Sequence, residues 1–428
     1  MRFALLGNHP DALEMTCALV QSGRHHLAAF TAAVPDDLRR RWGPDAKPVA
    51  DLEEVLADPA VEMVLVAGTL ANRAQQLRRA LQSERHVLCV YPPDDAPEIA
   101  YEAGMIQQDT GYVLLPLLPS LTHPAVARLA QFVRREKDQI PSPVGVFRVL
   151  EFRATAAGEV LDNVAAGGHK PSFPGWEVLR RLAGEIGEVT AFAEREELSP
   201  GSPVFVSGRF EAGGLFQTTL LPLDAGDSLG VTVGGARGRA ELLMPQGWAG
   251  PALLTWRDEA GELHEEAWER WDPWPALVAE FEAAVALSRK APAERAAEPD
   301  PARSLPSQAE GRVGPAITWQ DAVRGLELDD AARRSVERRR SSVLEYQEAS
   351  EEVGFKGTMT LVGCFVVWLL PLVLLATRLI PAVGWVELPG GRWIYVPHVS
   401  WLIVPALAIF LGLQLLRYLI PKQPPAAK

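Results

Sequence analysis

The side chains of this 428-residue chain most able to act as nucleophiles, acid–base groups or metal ligands are three cysteines and eight histidines. Cys17, Cys89 and Cys364 lie far apart with no pairing spacing, which fits a reduced compartment and no disulfide framework. The histidines show no ligand spacing. His25 and His26 are adjacent, so on a strand they face opposite ways, and no metal site is expected. Anion binding is a second chemistry to consider, because the apolar run Phe3 to Leu6 ends at Gly7 and a helical pattern follows through Ala12, Leu13, Met15, Ala18, Leu19 and Val20. Asp11 and Glu14 fall in the first turn of that helix. There they suit the positive end of the helix dipole but repel a diphosphate, so Asp11 reads better as a cap.

The elements that would position such groups alternate. Strands are expected at His26 to Phe30, Val61 to Ala67, His86 to Tyr91 and Gly111 to Leu118, with helices at Asp51 to Leu56, Ala71 to Gln82 and Ala96 to Asp109. Short buried strands alternating with helices imply parallel βαβ units, whose ligands gather at the carboxyl ends of the strands. Beyond that, Val144 to Ala154 reads as a strand and Trp176 to Leu182 as a helix. Glu188 to Glu196, Val204 to Leu221, Leu229 to Met244 and Leu253 to Trp268 read as antiparallel strands with glycine turns, followed by helices at Trp274 to Arg289 and Trp319 to Arg340. The fold class expected is α/β: a Rossmann-like parallel sheet domain over residues 1–120, then an α+β domain over 121–346 with an open, mostly antiparallel sheet and a disordered insertion at 290–315. A formal net charge of −12 offers no basic field to collect phosphates, so no nucleic-acid partner is expected. A small anionic ligand needs only a local positive site.

After a linker at 347–356, two apolar runs match the ~20 residues that cross a membrane of about 30 Å. They predict a C-terminal two-helix transmembrane hairpin: helices at 357–379 and 399–420, an external loop at 380–398 and a tail at 421–428. Trp368, Trp385, Trp393, Tyr395, Trp401 and Tyr418 would form interfacial belts. Arg338, Arg339, Arg340 and Lys356 before the first run, with Arg417, Lys422 and Lys428 after the second, put both termini in the cytoplasm by the positive-inside rule. The N-terminus does not read as a signal peptide. The expected localisation is therefore the cytoplasmic side of a membrane, with the membrane itself as one partner.

Several strings, in order, resemble the Gfo/Idh/MocA oxidoreductase family. They are Asp51-Leu52-Glu53-Glu54-Val55-Leu56-Ala57-Asp58-Pro59, the strand Val64-Leu65-Val66-Ala67, Ala80-Leu81 followed by His86-Val87-Leu88-Cys89, and the late helix Trp319 to Leu328 with Ala331-Ala332-Arg333-Arg334-Ser335. The likeness covers about Arg2 to Tyr346. It implies a Rossmann domain for NAD or NADP, and a second domain whose sheet holds a sugar or polyol and commonly builds oligomers. The resemblance leaves Gly7, Asn8, His9, Asp11, Ala12 and Thr69 as candidate cofactor contacts.

The chain departs from the family at each chemical feature. In the glycine-rich turn, Gly7 and Ala12 keep their places, but His9 stands where backbone must approach the pyrophosphate, and Pro10 removes a donor. The ribose-binding acid is missing after Phe30. Asp36 and Asp37 are displaced substitutes or simply a polar face, and Arg39, Arg40 and Arg41 read as a solvated charge run. The family's lysine is Tyr91, which could serve as an acid only with its pKa well below about 10. Its histidine is Pro174 and its second-domain acid is Glu177, with His169-Lys170 upstream as an alternative acid/base pair or a polar loop. Tyr91, His169 and Glu177 are thus the candidate catalytic substitutes. The reading is a membrane-anchored, Gfo/Idh/MocA-like protein with a degenerate nucleotide site and a non-catalytic binding, sensing or scaffold role, holding NAD, NADP or no cofactor. A homo-oligomer through the second sheet and a further protein partner are its expected company. The alternative is a divergent membrane-bound NAD(P)-dependent oxidoreductase acting on a sugar or polyol.

Overall fold

The computed structural model of the chain describes residues 1–31, 34–43, 46–133, 142–156, 175–194, 203–222, 228–245, 250–258, 260–289, 317–344, 385–388 and 392–395. The chain forms two compact units, Met1–Tyr346 and Gln347–Lys428.

In the first unit, five apolar runs and the exposed dipeptide Lys47-Pro48 become parallel strands: β1 (Arg2–Gly7), β2 (His26–Phe30), β3 (Lys47–Pro48), β4 (Met63–Ala67), β5 (His86–Val90) and β6 (Leu114–Leu117), in the order β3-β2-β1-β4-β5-β6. Every residue of β4, β5 and β6 is buried, which is why these strands read as unbroken apolar runs rather than as alternation. Helices α1 (Pro10–Gln21), α2 (Asp36–Trp42), α3 (Leu52–Ala57), α4 (Leu70–Gln82) and α5 (Pro97–Thr110) make the crossovers. Local chemistry sets their starts. At α3, Asp51 Oδ1 accepts the Glu54 N–H at 3.0 Å, while Glu54 Oε2 accepts the Ala50 N–H at 3.0 Å, a variant of the reciprocal capping box. Strand order reverses between β1 and β4, so the ligand crevice of such a sheet lies at their carboxyl ends.

A 3₁₀ turn (Pro119–Thr122) and α6 (Pro124–Val133) lead into a mixed sheet. Its strands are β7 (Phe147–Ala156), β8 (Ile186–Ala193), β9 (Val204–Phe210), β10 (Leu215–Pro222), β11 (Ser228–Gly235), β12 (Arg239–Pro245), β13 (Ala252–Arg257), β14 (Leu263–Trp268) and β15 (Ser342–Val343), in the order β14-β13-β12-β11-β7-β10-β9-β8-β15. β7 and β10 run parallel, and every other neighbouring pair of this sheet is antiparallel. Alternation is clear along β12, where Ala240, Leu242 and Met244 are buried and Arg239 and Leu243 are exposed. The buried face packs on α6, on α7 (Trp176–Ala183) and on the second half of α9 (Trp319–Arg338). Helix α8 (Trp274–Ser288) returns to the parallel sheet, where Leu277, Val278 and Phe281 join the core around Phe3 and Leu5.

The second unit contributes an antiparallel pair, β16 (Trp385–Leu388) with β17 (Arg392–Tyr395), inside the stretch expected to be an external loop. The expected membrane hairpin, with its cytoplasmic-side localisation, two spans and membrane partner, is corrected on one finding: among the described residues no helix is long and apolar enough to cross a membrane. Helix α9 has the length, at 20 residues, but carries Asp321, Arg324, Glu327, Asp329 and Arg333. The runs 357–379 and 399–420, the linker 347–356, the tail 421–428 and the insertion 290–315 lie outside the described residues.

Two buried histidines make the first unit acid-sensitive. His86 Nδ1 accepts the Val113 N–H at 3.0 Å, and His123 Nδ1 accepts the Ala125 N–H at 3.1 Å. Burial pulls both pKa values down to about 4, from 6.5. The folded state thus prefers the neutral rings, and unfolding takes up protons within that window. Their contribution is complete above about pH 6.5 and is lost as the pH falls toward 4, at most ~3 kcal/mol each. Urea midpoints measured across this range should fall with pH. His123→Asn, which keeps an acceptor for the Ala125 N–H, should flatten part of the decline; an unchanged slope would sink this account.

Candidate functional site

The crevice begins where β1 meets α1. Gly7 has φ +110°, and a Cβ there would sit 2.1 Å from the Ala67 carbonyl oxygen of β4, so only glycine fits both the turn and the close strand contact. Ala12 is fully buried beneath the turn. Asn8 is exposed, and so is Thr69, the residue preceding α4. His9 caps α1 with its own side chain, Nδ1 accepting the Asp11 N–H at 3.3 Å. Its Nδ1 also lies 3.8 Å from an Asp11 carboxylate oxygen. Burial lowers the His9 pKa, with Asp11 pulling it up and Arg73 pushing it down. Burial raises that of Asp11, against the pull of His9 and Arg73.

These residues do not fit a dinucleotide's diphosphate. The first-turn N–H that an oxyanion would use is taken by His9, Pro10 has none, and Asp11 adds a carboxylate at the same place. In the turn after β2, Asp36 and Asp37 are exposed at the start of α2, and Arg39, Arg40 and Arg41 are exposed near its end, a solvated helix surface.

Arg73 was not legible as a site residue, yet it occupies the centre of this crevice. Its side chain is 5% exposed. Nε and Nη2 donate to the Gly68 carbonyl at 3.2 and 3.0 Å, and Nη1 donates to the Pro92 carbonyl. The guanidinium therefore ties together the chain just beyond β4 and β5. One signal could have found it: the buried face of α4 runs Leu70, Arg73, Leu77, Ala80 and Leu81, and an arginine on an apolar stripe needs a reason.

Tyr91 and Glu177 approach a different wall, helix α9. A Cβ at Gly325 would lie 2.4 Å from Tyr91 Oη, so the phenol packs onto the helix backbone at that point. One turn before Gly325, Asp321 receives Arg180 Nη1 at 3.0 Å; one turn after, Asp329 accepts the buried Trp176 Nε1–H at 2.7 Å. Glu177 lies between Trp176 and Arg180 on α7, and its Oε1 accepts the Ser120 hydroxyl at 2.7 Å. Burial raises its pKa, the hydrogen bond from Ser120 offsets part of that, and Asp321 and Asp329 push it further up. Asp321, Gly325 and Asp329 share one helical face at i, i+4 and i+8; Tyr91 packs on it, and its two aspartates act through space on Glu177. His169 and Lys170 lie outside the described residues.

A separate group, Asp258, Glu262 and His264, closes the β13–β14 turn. His264 is bonded to Asp258 at 2.9 Å and stacks on Trp256, while Asp258 Oδ1 accepts the Glu262 N–H at 2.9 Å. These bonds already account for the cluster as a hairpin clamp.

No family model matches this sequence, and no curated protein matches it. Among solved structures, the chain is similar to the aldose-aldose oxidoreductase from Caulobacter crescentus, at 16% identity and a TM-score of 0.61, with 80% of this chain and 99% of that one covered. It is similar to a levoglucosan dehydrogenase solved with NADH and levoglucosan, at 14% identity and 0.60, covering 81% and 100%. It is also similar to the transcriptional regulator Gal80p from Kluyveromyces lactis, at 11% identity and 0.60, covering 80% and 91%. At such identities the likeness is one of fold: a parallel Rossmann-like sheet joined to a mixed second sheet.

The environment of Glu177 makes a measurable statement. A folded-state carboxyl with a raised pKa costs stability once the pH passes its unfolded value near 4.5. Glu177→Gln, which keeps an acceptor for Ser120, should raise stability at pH 8 and leave it unchanged at pH 4. Equal loss at both values in chemical denaturation would instead make the carboxylate a compensated structural group.

Proposed function

We propose that the chain is a degenerate Gfo/Idh/MocA-like protein that keeps the oxidoreductase fold and its crevice but serves as a binding, sensing or scaffold module without hydride transfer. The observation that carries this reading is the turn into α1, where His9 closes the amide that a diphosphate would need and Asp11 stands beside it. Arg73 across the ends of β4 and β5 supports it further. A fold neighbour described as a transcriptional regulator, Gal80p, supports the idea that this architecture can serve regulation.

The alternative is a divergent NAD(P)-dependent oxidoreductase acting on a sugar or polyol. One observation favours it: Tyr91 and Glu177 converge on the Asp321–Gly325–Asp329 stripe, so a hydroxyl and a carboxyl of raised pKa stand near one wall. The neighbour solved with NADH and levoglucosan lends it the substrate class. Titration of the full chain with NADH and NADPH separates the two. A micromolar site at millimolar ligand would add roughly 4 kcal/mol of stability. We expect no saturable shift in melting temperature and no change in nicotinamide fluorescence; saturable binding with turnover of a sugar or polyol would install the alternative.

The partner we infer is a second copy of the chain, met through the outer face of the nine-stranded sheet. The helices of the first unit pack on the other face. Register aligns one outward row across the sheet: Phe192, Phe205, Thr219, Arg153, Gly230, Leu243 and Leu253. Phe192 is 62% exposed, Phe205 43%, Leu243 48% and Leu253 37%, a large apolar area for one row. A face-to-face pairing would bury it, with Phe192 and Phe205 at the β8–β9 end of the row. In light scattering after size exclusion, wild type should run as an oligomer and Phe192→Glu/Phe205→Glu as a monomer; a monomeric wild type rejects the interface.

A further inference from the structure

One charge in the crevice is left without a counterpart. Arg73 is buried, yet both groups that hold it, the Gly68 and Pro92 carbonyls, are neutral. Among the described residues it forms no ion pair. Asp11 and Asp94 act on it only through space, with Cys89 behind it, whose thiol burial pushes up to about 12. A buried cation bonded directly only to neutral carbonyls, with its nearest carboxylates acting through space, is incompletely compensated, and an apposed anion is the usual remedy. Of the five N–H groups of the guanidinium, Nε uses its one and Nη1 and Nη2 use one each, so among the described residues each terminal nitrogen keeps one donor. Two such donors on a planar group suit the paired oxygens of a carboxylate or phosphate.

The position of the group matters as much as its charge. Gly68 follows β4 and Pro92 follows β5, so the guanidinium sits at the carboxyl ends of adjacent central strands, where sheets of this order collect ligands. At the neighbouring end of β1, anion binding by the α1 amides is closed by His9 and Asp11. The crevice thus offers a side-chain cation and no open helix terminus.

We propose that Arg73 is the recognition residue of a compact-anion site at the ends of β4 and β5, taking a single phosphate or carboxylate group of a small ligand. This rests on the reading of the crevice as a binding site without hydride transfer. A diphosphate spanning a helix N-terminus is excluded by the same residues that leave Arg73 available. Asp11 and Asp94 disfavour large, highly charged ligands, and a one-group oxyanion needs only the guanidinium.

The test uses the full chain at constant ionic strength, with inorganic phosphate and acetate as probes, sodium chloride as control and thermal unfolding as readout. Wild type should show a saturable rise in melting temperature with at least one probe, and the better of the two names the oxyanion class. Arg73→Met should fold, since an apolar chain suits a buried slot, and should lose at least about tenfold in affinity. Arg73→Lys keeps the charge but not the fork and should weaken binding by roughly tenfold. If the methionine variant does not fold, the lysine variant decides: affinity equal to wild type overturns the proposal. Equal responses in wild type and Arg73→Met, or no saturable response to either anion, overturn it as well. NADPH titrated alongside reports on the other question. Dinucleotide binding would sink the non-catalytic reading, while an Arg73-dependent phosphate response would still stand.

Discussion

Helix α9 must satisfy two cores at once, and the site follows from how it does so. Trp319, Ala322, Val323 and Leu326 join the core beneath the parallel sheet, with Trp319 Nε1 donating to the Ala100 carbonyl at 2.8 Å. Leu328, Ala332 and Val336 join the core of the mixed sheet, where Ser335 Oγ accepts the Ala191 N–H at 2.9 Å. Each buried Leu or Val is worth about 1.5–3 kcal/mol, so the two ends anchor independently. Between them runs a face with Asp321, Gly325 and Asp329, met by Arg180 and the Thr318 cap at Asp321, by the phenol of Tyr91 at Gly325 and by Trp176 at Asp329. The junction between the sheets is therefore held by polar contacts as well as by the two apolar cores.

The crevice at the strand ends obeys a different economy. Gly7 is retained for a mechanical reason, the 2.1 Å approach of a would-be Cβ to the Ala67 carbonyl, which holds whether or not a nucleotide binds. His9 and Pro10 face no such constraint, since they lie beyond the strand contact. A turn can thus keep the glycine that shapes it while its ligand-facing positions change. Retention of Gly7 and Ala12 is evidence about packing, and the His9 and Asp11 side chains carry the information about ligands.

Much of the fold was legible because its signals are strong and local. β4 and β5 read as unbroken apolar runs and are buried throughout. The glycines after Phe210 mark a real turn between β9 and β10. Helices α2 and α6 were harder to see, since α2 is a seven-residue segment of charge broken by Leu38 and Trp42, and α6 opens with a proline just after the 3₁₀ turn. The parallel pairing of β7 with β10 was out of reach, because strand alternation reveals a face and not a neighbour. The two apolar runs near the C-terminus misled for a related reason: hydropathy reports composition, and the described chain between them forms a hairpin of strands. For the site, alignment of motifs located Gly7, Tyr91 and Glu177 but could not reveal Arg73, whose importance comes from lying across two strand ends that are distant in sequence.

Electrostatics links the two walls of the crevice into one argument. In a nucleotide-binding sheet of this order the positive field comes from the amides at the start of the first helix, which are fixed in place and suit a diphosphate. Here His9 accepts the first-turn Asp11 N–H with the Asp11 carboxylate beside it, while a buried guanidinium lies one strand over, across the ends of β4 and β5. An anion bound as proposed would be held by that single side chain and not by backbone amides. Backbone amides spread along a turn recognise an extended ligand, whereas one planar fork recognises one oxyanion. On the proposed reading, this crevice selects a single oxyanion where a row of helix amides would select a diphosphate.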